Sequence, residues 1–102
     1  MAWDKFRMAQ KFLQRANAIH PEDADGDAAQ TEALAMQDVY YDCYMSSFSR
    51  EDLIKRLTEV IGGKIEMPEE EKVDEERYRA VYLKEATRVL SDIQRDYPAD
   101  GA

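Results

Sequence analysis

Four glycines and three prolines are all the backbone punctuation available to this chain of 102 residues. Nearly all of it falls at His20-Pro21, Gly26, Gly62-Gly63, Met67-Pro68 and Pro98. Between these points nothing interrupts a helix, and the chain divides into four segments. None alternates apolar and polar residues at period two, β-branched residues are thinly spread, and no repeat or low-complexity tract is present. The pattern predicts an all-α, single-domain four-helix bundle over 1–102, with helices at about 3–19, 28–47, 50–61 and 68–96. At this length, and with 44% apolar residues, one core can bury roughly two thirds of the surface that the unfolded chain exposes.

The first helix places Phe6, Ala9, Phe12, Leu13, Ala16 and Ile19 on one broad apolar face. Arg7, Lys11 and Arg15 follow one another at steps of four residues on the other side and form a short basic stripe. This stripe is expected to meet solvent or to dock against acidic residues of the same chain or of a second copy.

The second helix is the unusual one. From Ala16 to Ser49 there is no lysine or arginine, while seven carboxylates, three of the six tyrosines and the sole cysteine lie there. Val39, Cys43, Met36, Tyr40, Ala33, Tyr44, Phe48, Tyr41, Leu34 and Met45 cover about two thirds of the helical wheel and leave a thin seam of Thr31, Asp38 and Asp42. Such a helix belongs at the centre of a bundle, where long cationic side chains have no room. Asp25 or Asp27 is expected as its N-cap.

Ser49 is positioned to cap the third helix, with Asp52 three residues on and Gly62-Gly63 as the stop. Pro68 suits the first position of a long fourth helix. Its later turns carry a stripe of Tyr78, Tyr82, Leu83, Ala86, Val89, Leu90, Ile93 and Tyr97. From Glu69 to Glu76 the only apolar residue is Val73, so this stretch is expected to project from the core as an acidic helical prong.

Chemistry is harder to find. Asp23-Ala24-Asp25-Gly26-Asp27 resembles the opening of an EF-hand calcium loop, but the positions that should hold the turn glycine and the bidentate glutamate are Ala28 and Leu34. An acidic turn ahead of helix two is the expectation. His20 is the sole histidine and cannot build a zinc site with a cysteine on an apolar face. Asp38 and Asp42 lie one turn apart, a spacing that can raise one pKa, but such a pair more commonly meets solvent or an arginine from a neighbouring helix. No nucleophile with a base, phosphate loop or metal motif appears. No catalytic, cofactor-binding or metal-binding residues are therefore expected.

Net charge is −8, which disfavours direct nucleic-acid and anionic membrane partners. A single cysteine, no apolar run of bilayer length and an N-terminus without a signal-peptide core point to the cytoplasm. The expected function is a non-catalytic acidic protein-binding module, an adaptor or inhibitor of bacterial or phage regulatory type. Its acidic contact residues would be Glu69, Glu70, Glu71, Asp74 and Glu75 with Glu22, Asp23, Asp25 and Asp27, set against a basic surface of another protein. Tyr40, Tyr41, Tyr44 and Phe48, with Met45 among them, are candidates for a partner contact or a homodimer. The alternatives are a structural subunit of a larger assembly, and a nucleic-acid mimic occupying a basic groove.

Overall fold

The computed structural model describes residues 2–69 and 73–98. Among them are four α-helices and no strand: α1 (Lys5–Asn17), α2 (Asp27–Ser46), α3 (Arg50–Ile61) and α4 (Glu75–Asp96), with a single 3-10 turn at Pro21–Asp23 before α2. None of the helices is long and apolar enough to cross a membrane.

Local chemistry accounts for most of the boundaries. The Asp4 carboxylate accepts from the Phe6 and Arg7 amides at 3.1 Å and starts α1. At the other end of this helix, the Gln37 side chain reaches over from α2 and donates to the Ala16 and Ile19 carbonyls at 3.1 and 2.8 Å. Ser49 caps α3 by accepting from the Asp52 amide. The helix stops where Gly63 turns to φ +113°, a conformation that costs glycine little. The expected aspartate cap of α2 is not seen: Gly26, at φ 91°, occupies that position and no side chain caps it, leaving Asp27 in the first turn as a partner for the helix dipole.

Helix α4 begins seven residues later than the sequence pattern predicts. Asp74, whose carboxylate accepts from the Arg77 amide at 3.2 Å, is its cap. Pro68 and Glu69 precede it in non-helical backbone, so the acidic prong does not form there as a helical extension; Glu70 and Glu71 lie outside the described residues. Burial explains the correction. Ile65 is buried, Met67 and Val73 pack on the core, and the Asp74 amide donates to Thr31 Oγ1 at 3.4 Å. These few apolar side chains draw the connection back against the bundle.

The four helices alternate in direction, and α2 and α4 therefore run parallel. They are in direct contact along their length, with α1 packed chiefly on α2 and α3 chiefly on α4. The core joins Met8, Phe12 and Ala16 of α1 to Ala35, Val39 and Cys43 of α2, Leu53, Leu57 and Val60 of α3, and Tyr78, Tyr82, Ala86, Val89 and Ile93 of α4. Phe6, expected on the buried face of α1, is instead exposed. At 100° per residue it sits about 120° around the helix from Phe12, outside the line that Met8, Phe12 and Ala16 bury.

The thin polar seam of α2 is the partner of α4. The Tyr78 hydroxyl donates to Asp38 and the Tyr82 hydroxyl to Asp42, each at 2.6 Å. The Tyr40 hydroxyl of α2 donates in the other direction, to the buried Glu85 carboxylate at 2.6 Å. Asp42 also takes a forked contact from Arg56 of α3 at 2.8–2.9 Å. Short bonds to charged acceptors are about twice as strong as neutral ones, and removing one partner exposes the full desolvation cost of the other. Asp42→Ala, which strips Arg56 and Tyr82 together, should cost about 3 kcal/mol, whereas Tyr82→Phe, which leaves the ion pair intact, should cost about 1 kcal/mol. Urea denaturation of both variants checks this ordering.

Candidate functional site

Parallel packing of α2 and α4 sets their N-termini side by side. Here the two acidic segments of the sequence meet. Asp74 bonds to Thr31, Arg77 Nη1 lies 2.8 Å from Glu32 Oε1, and an open cleft of about 450 Å³ is lined by Pro21 and Glu22 of the turn, Thr31 and Leu34 of α2, and Val73. Around it Glu22, Asp23, Asp25, Asp27, Asp74, Glu75 and Glu76 are all exposed. Two adjacent helix N-termini carry like partial positive charge, and these carboxylates offset it. Arg77 is paired with Glu32 and lies 3.9 Å from Asp74, so its charge is largely taken up within the pole. Glu69 is exposed as well.

Within the acidic turn, donor atoms of His20, Glu22 and Asp23 lie within 4.8 Å of one another, and all three residues are exposed. His20 Nδ1 is 3.5 Å from Glu22 Oε1. Among the described residues no further His, Cys or carboxylate joins this group.

The aromatic candidates separate. Tyr40 is buried and committed to Glu85, with the Arg15 guanidinium 5.7 Å from its ring. Tyr41 is half-buried and donates to Asn17 Oδ1 at 3.0 Å. Tyr40 is thereby withdrawn from the surface, whereas Tyr41 stays partly exposed. Tyr44 and Phe48, one turn further along, emerge at the surface beside Phe6 and Met45. Phe6 is not among the contact residues expected from the sequence; the two-thirds width of the α2 apolar arc, which includes Met45, is the signal for an uncovered remainder.

Arg7, Lys11 and Arg15 all stay exposed on α1. They run alongside the end of α4, where Lys11 and Arg15 share a shallow cleft with Asp92, Arg95 and Asp96. A hydrogen bond from Arg95 holds the Asp96 carboxyl below its ordinary range, and Lys11 contributes in the same direction. The stripe thus meets carboxylates of its own chain, but those of α4 rather than those of the acidic turn.

Burial pushes the Cys43 thiol well above its ordinary pKa, with the neighbouring Asp42 charge acting in the same sense. A thiol kept neutral is a poor nucleophile. Burial likewise raises Tyr40 to about 12, reinforced by its bond to Glu85. Tyr78 and Tyr82 are raised further, first by burial and then by their bonds to Asp38 and Asp42.

No protein-family model matches this sequence, and no similar curated protein or solved structure was found.

The tyrosine shifts have a definite sign. The folded state holds these phenols neutral, while in the unfolded chain they ionise near the ordinary value of about 10. Their contribution to stability is complete below pH 10 and is lost as pH rises toward the folded-state values. Each phenol should remove up to about 1.4 kcal/mol per pH unit in that range. Denaturation midpoints measured from about pH 9 upward should fall steeply, and less steeply in Tyr78→Phe/Tyr82→Phe.

Proposed function

We propose that this protein is a non-catalytic protein-binding module, an adaptor or inhibitor, whose acidic pole docks on a basic surface of another protein. One observation carries the reading: segments about fifty residues apart, the 22–27 turn and the start of α4, converge on one end of the bundle with their carboxylates exposed. Neutralising two helix dipoles needs about one unit of charge in total. The pole carries several times that amount, and the excess is available to a cationic partner. A concentrated one-signed surface accelerates encounter with an opposite one and discriminates against acidic competitors.

The binding contribution of such a pole is electrostatic and therefore salt-sensitive. A regular nucleic-acid mimic is a weaker reading, because Arg77 sits within the pole and pairs with Glu32.

Replacing Glu22, Asp25, Glu75 and Glu76 together by their amides keeps the volume of every side chain and removes four charges. Partners captured by the wild-type protein from a lysate of its native source should bind this variant at least about tenfold more weakly. Their salt dependence should flatten as well. Retention of the same proteins, eluting at the same salt concentration, would rule the acidic pole out as the binding surface.

A further inference from the structure

The cleft between the starts of α2 and α4 differs in charge from three other open clefts of the molecule. Each of those holds at least one cation: Lys11, Arg15 and Arg95 beside the end of α4, Arg7 and Lys11 along α1, and Lys5 beside Phe48. The cleft at the acidic pole is lined by no lysine, arginine or histidine. Its charged member is Glu22, and the carboxylates of Glu22 and Asp23 lie within 4.8 Å of one another.

Its neutral polar residues also offer acceptors. Gln37 spends its side-chain N–H groups on the Ala16 and Ile19 carbonyls at 3.1 and 2.8 Å, and Gln30 spends one on the Ala24 carbonyl at 3.4 Å. A backbone carbonyl can only accept, so these bonds fix which end of each amide is the nitrogen and leave Oε1 as the other end. Pro21, Leu34 and Val73 complete the lining. Leu34 and Val73 pack on the core yet stay partly exposed. Apolar walls beside a carboxylate and amide oxygens suit a side chain with an apolar stem and a cationic head. The volume of about 450 Å³ accommodates one such side chain.

Helix N-termini by themselves favour anions, and two of them meet at this pole. Each has a carboxylate of its own: Asp74 caps α4, and Asp27 stands in the first turn of α2. Glu22 and Asp23 are additional to these. Their mutual repulsion is relieved when a cation enters between them and the cleft.

We propose that this cleft receives an arginine side chain of the basic partner, its guanidinium held by the Glu22 carboxylate and the side-chain oxygens of Gln30 and Gln37. The proposal rests on the acidic-pole reading and names the group that the pole recognises. Arginine fits better than lysine for two reasons. A guanidinium carries five N–H donors in a rigid plane, so it can bond a carboxylate twice and still reach an amide oxygen. It is also more weakly hydrated than an ammonium and loses less on entering a cleft with apolar walls.

Nuclear magnetic resonance titration of the full chain with a short blocked peptide of alternating glycine and arginine tests this, with the lysine peptide of equal charge as the comparison. The work is done at pH 8, above the ordinary histidine pKa of about 6.5, so that His20, 3.5 Å from Glu22, does not compete as a cation. The arginine peptide should shift the side-chain amide signals of Gln30 and Gln37 and the methyl signals of Leu34 and Val73. The lysine peptide should bind at least about threefold more weakly. Glu22→Gln, at an exposed position, should weaken the arginine peptide about tenfold, more than Glu75→Gln/Glu76→Gln, which removes two charges from outside the cleft lining. Equal affinity for the two peptides, a larger loss in the Glu75/Glu76 variant, or amide and methyl signals that do not move would each overturn the cleft assignment. Capture of partners by the wild-type protein and their loss in the four-amide variant would still stand as evidence for the pole, so the two readings fail separately.

Discussion

The parallel contact between α2 and α4, locked by phenol-to-carboxylate hydrogen bonds, is the constraint on which the rest of the molecule depends. Two parallel helices gain nothing from their dipoles, which point the same way and set like ends side by side. Compensation comes from Tyr78 on Asp38, Tyr82 on Asp42 and Tyr40 on Glu85, all at 2.6 Å. The bonds run in both directions across the contact, two from α4 to α2 and one from α2 to α4. A slip of one helical turn breaks all three, and the desolvated charges make each loss costly. Register is therefore fixed by chemistry more specific than the apolar contact around it. Arg56 extends the network to α3 through Asp42, so the third helix is tied to the same line.

The charge distribution follows from that parallel alignment. Two N-termini on one end attract carboxylates, and the turn before α2 and the cap of α4 provide them. Lys11 and Arg15 of α1 instead lie beside Asp92 and Asp96 at the end of α4. The molecule, 45 Å in its longest dimension, consequently has an acidic end and an apolar end, separated by the length of α2. The same network also decides which aromatics remain for other uses. Tyr40, Tyr78 and Tyr82 are consumed internally, leaving Phe6, Tyr44, Met45 and Phe48 at the surface.

Much of this was legible in the sequence. The spacing of Leu53, Leu57 and Val60 between Ser49 and Gly62-Gly63 fixes α3 to the residue, because cap, apolar stripe and stop are all local signals. The wide apolar arc of α2 correctly marks a central helix, and Cys43 is buried as its phase demands. The start of the fourth helix departs from its local signals for a clear reason. Proline and glutamates favour a helix N-terminus by local preference, but Ile65, Met67 and Val73 gain more by packing on the bundle, and Thr31 offers the Asp74 amide a hydrogen bond. Phe6 falls outside the buried face because a broad apolar face can be buried along any of several centres, and the neighbouring helices choose among them.

Secondary structure was therefore settled by sequence wherever the controlling interactions reach only three or four residues: the caps at Ser49 and Gly63, the 3.6-residue stripes and the absence of alternation. The candidate surfaces were not. The acidic pole needs Glu22 to Asp27 and Asp74 to Glu76 at the same end of the bundle, and the apolar face needs α1 and the α2–α3 turn side by side. Periodicity specifies which face of a helix is buried but says nothing about which helix lies against it or in which direction. Only the tertiary structure decided these questions, through bonds such as Tyr78 to Asp38 and Tyr40 to Glu85 that join residues forty or more positions apart.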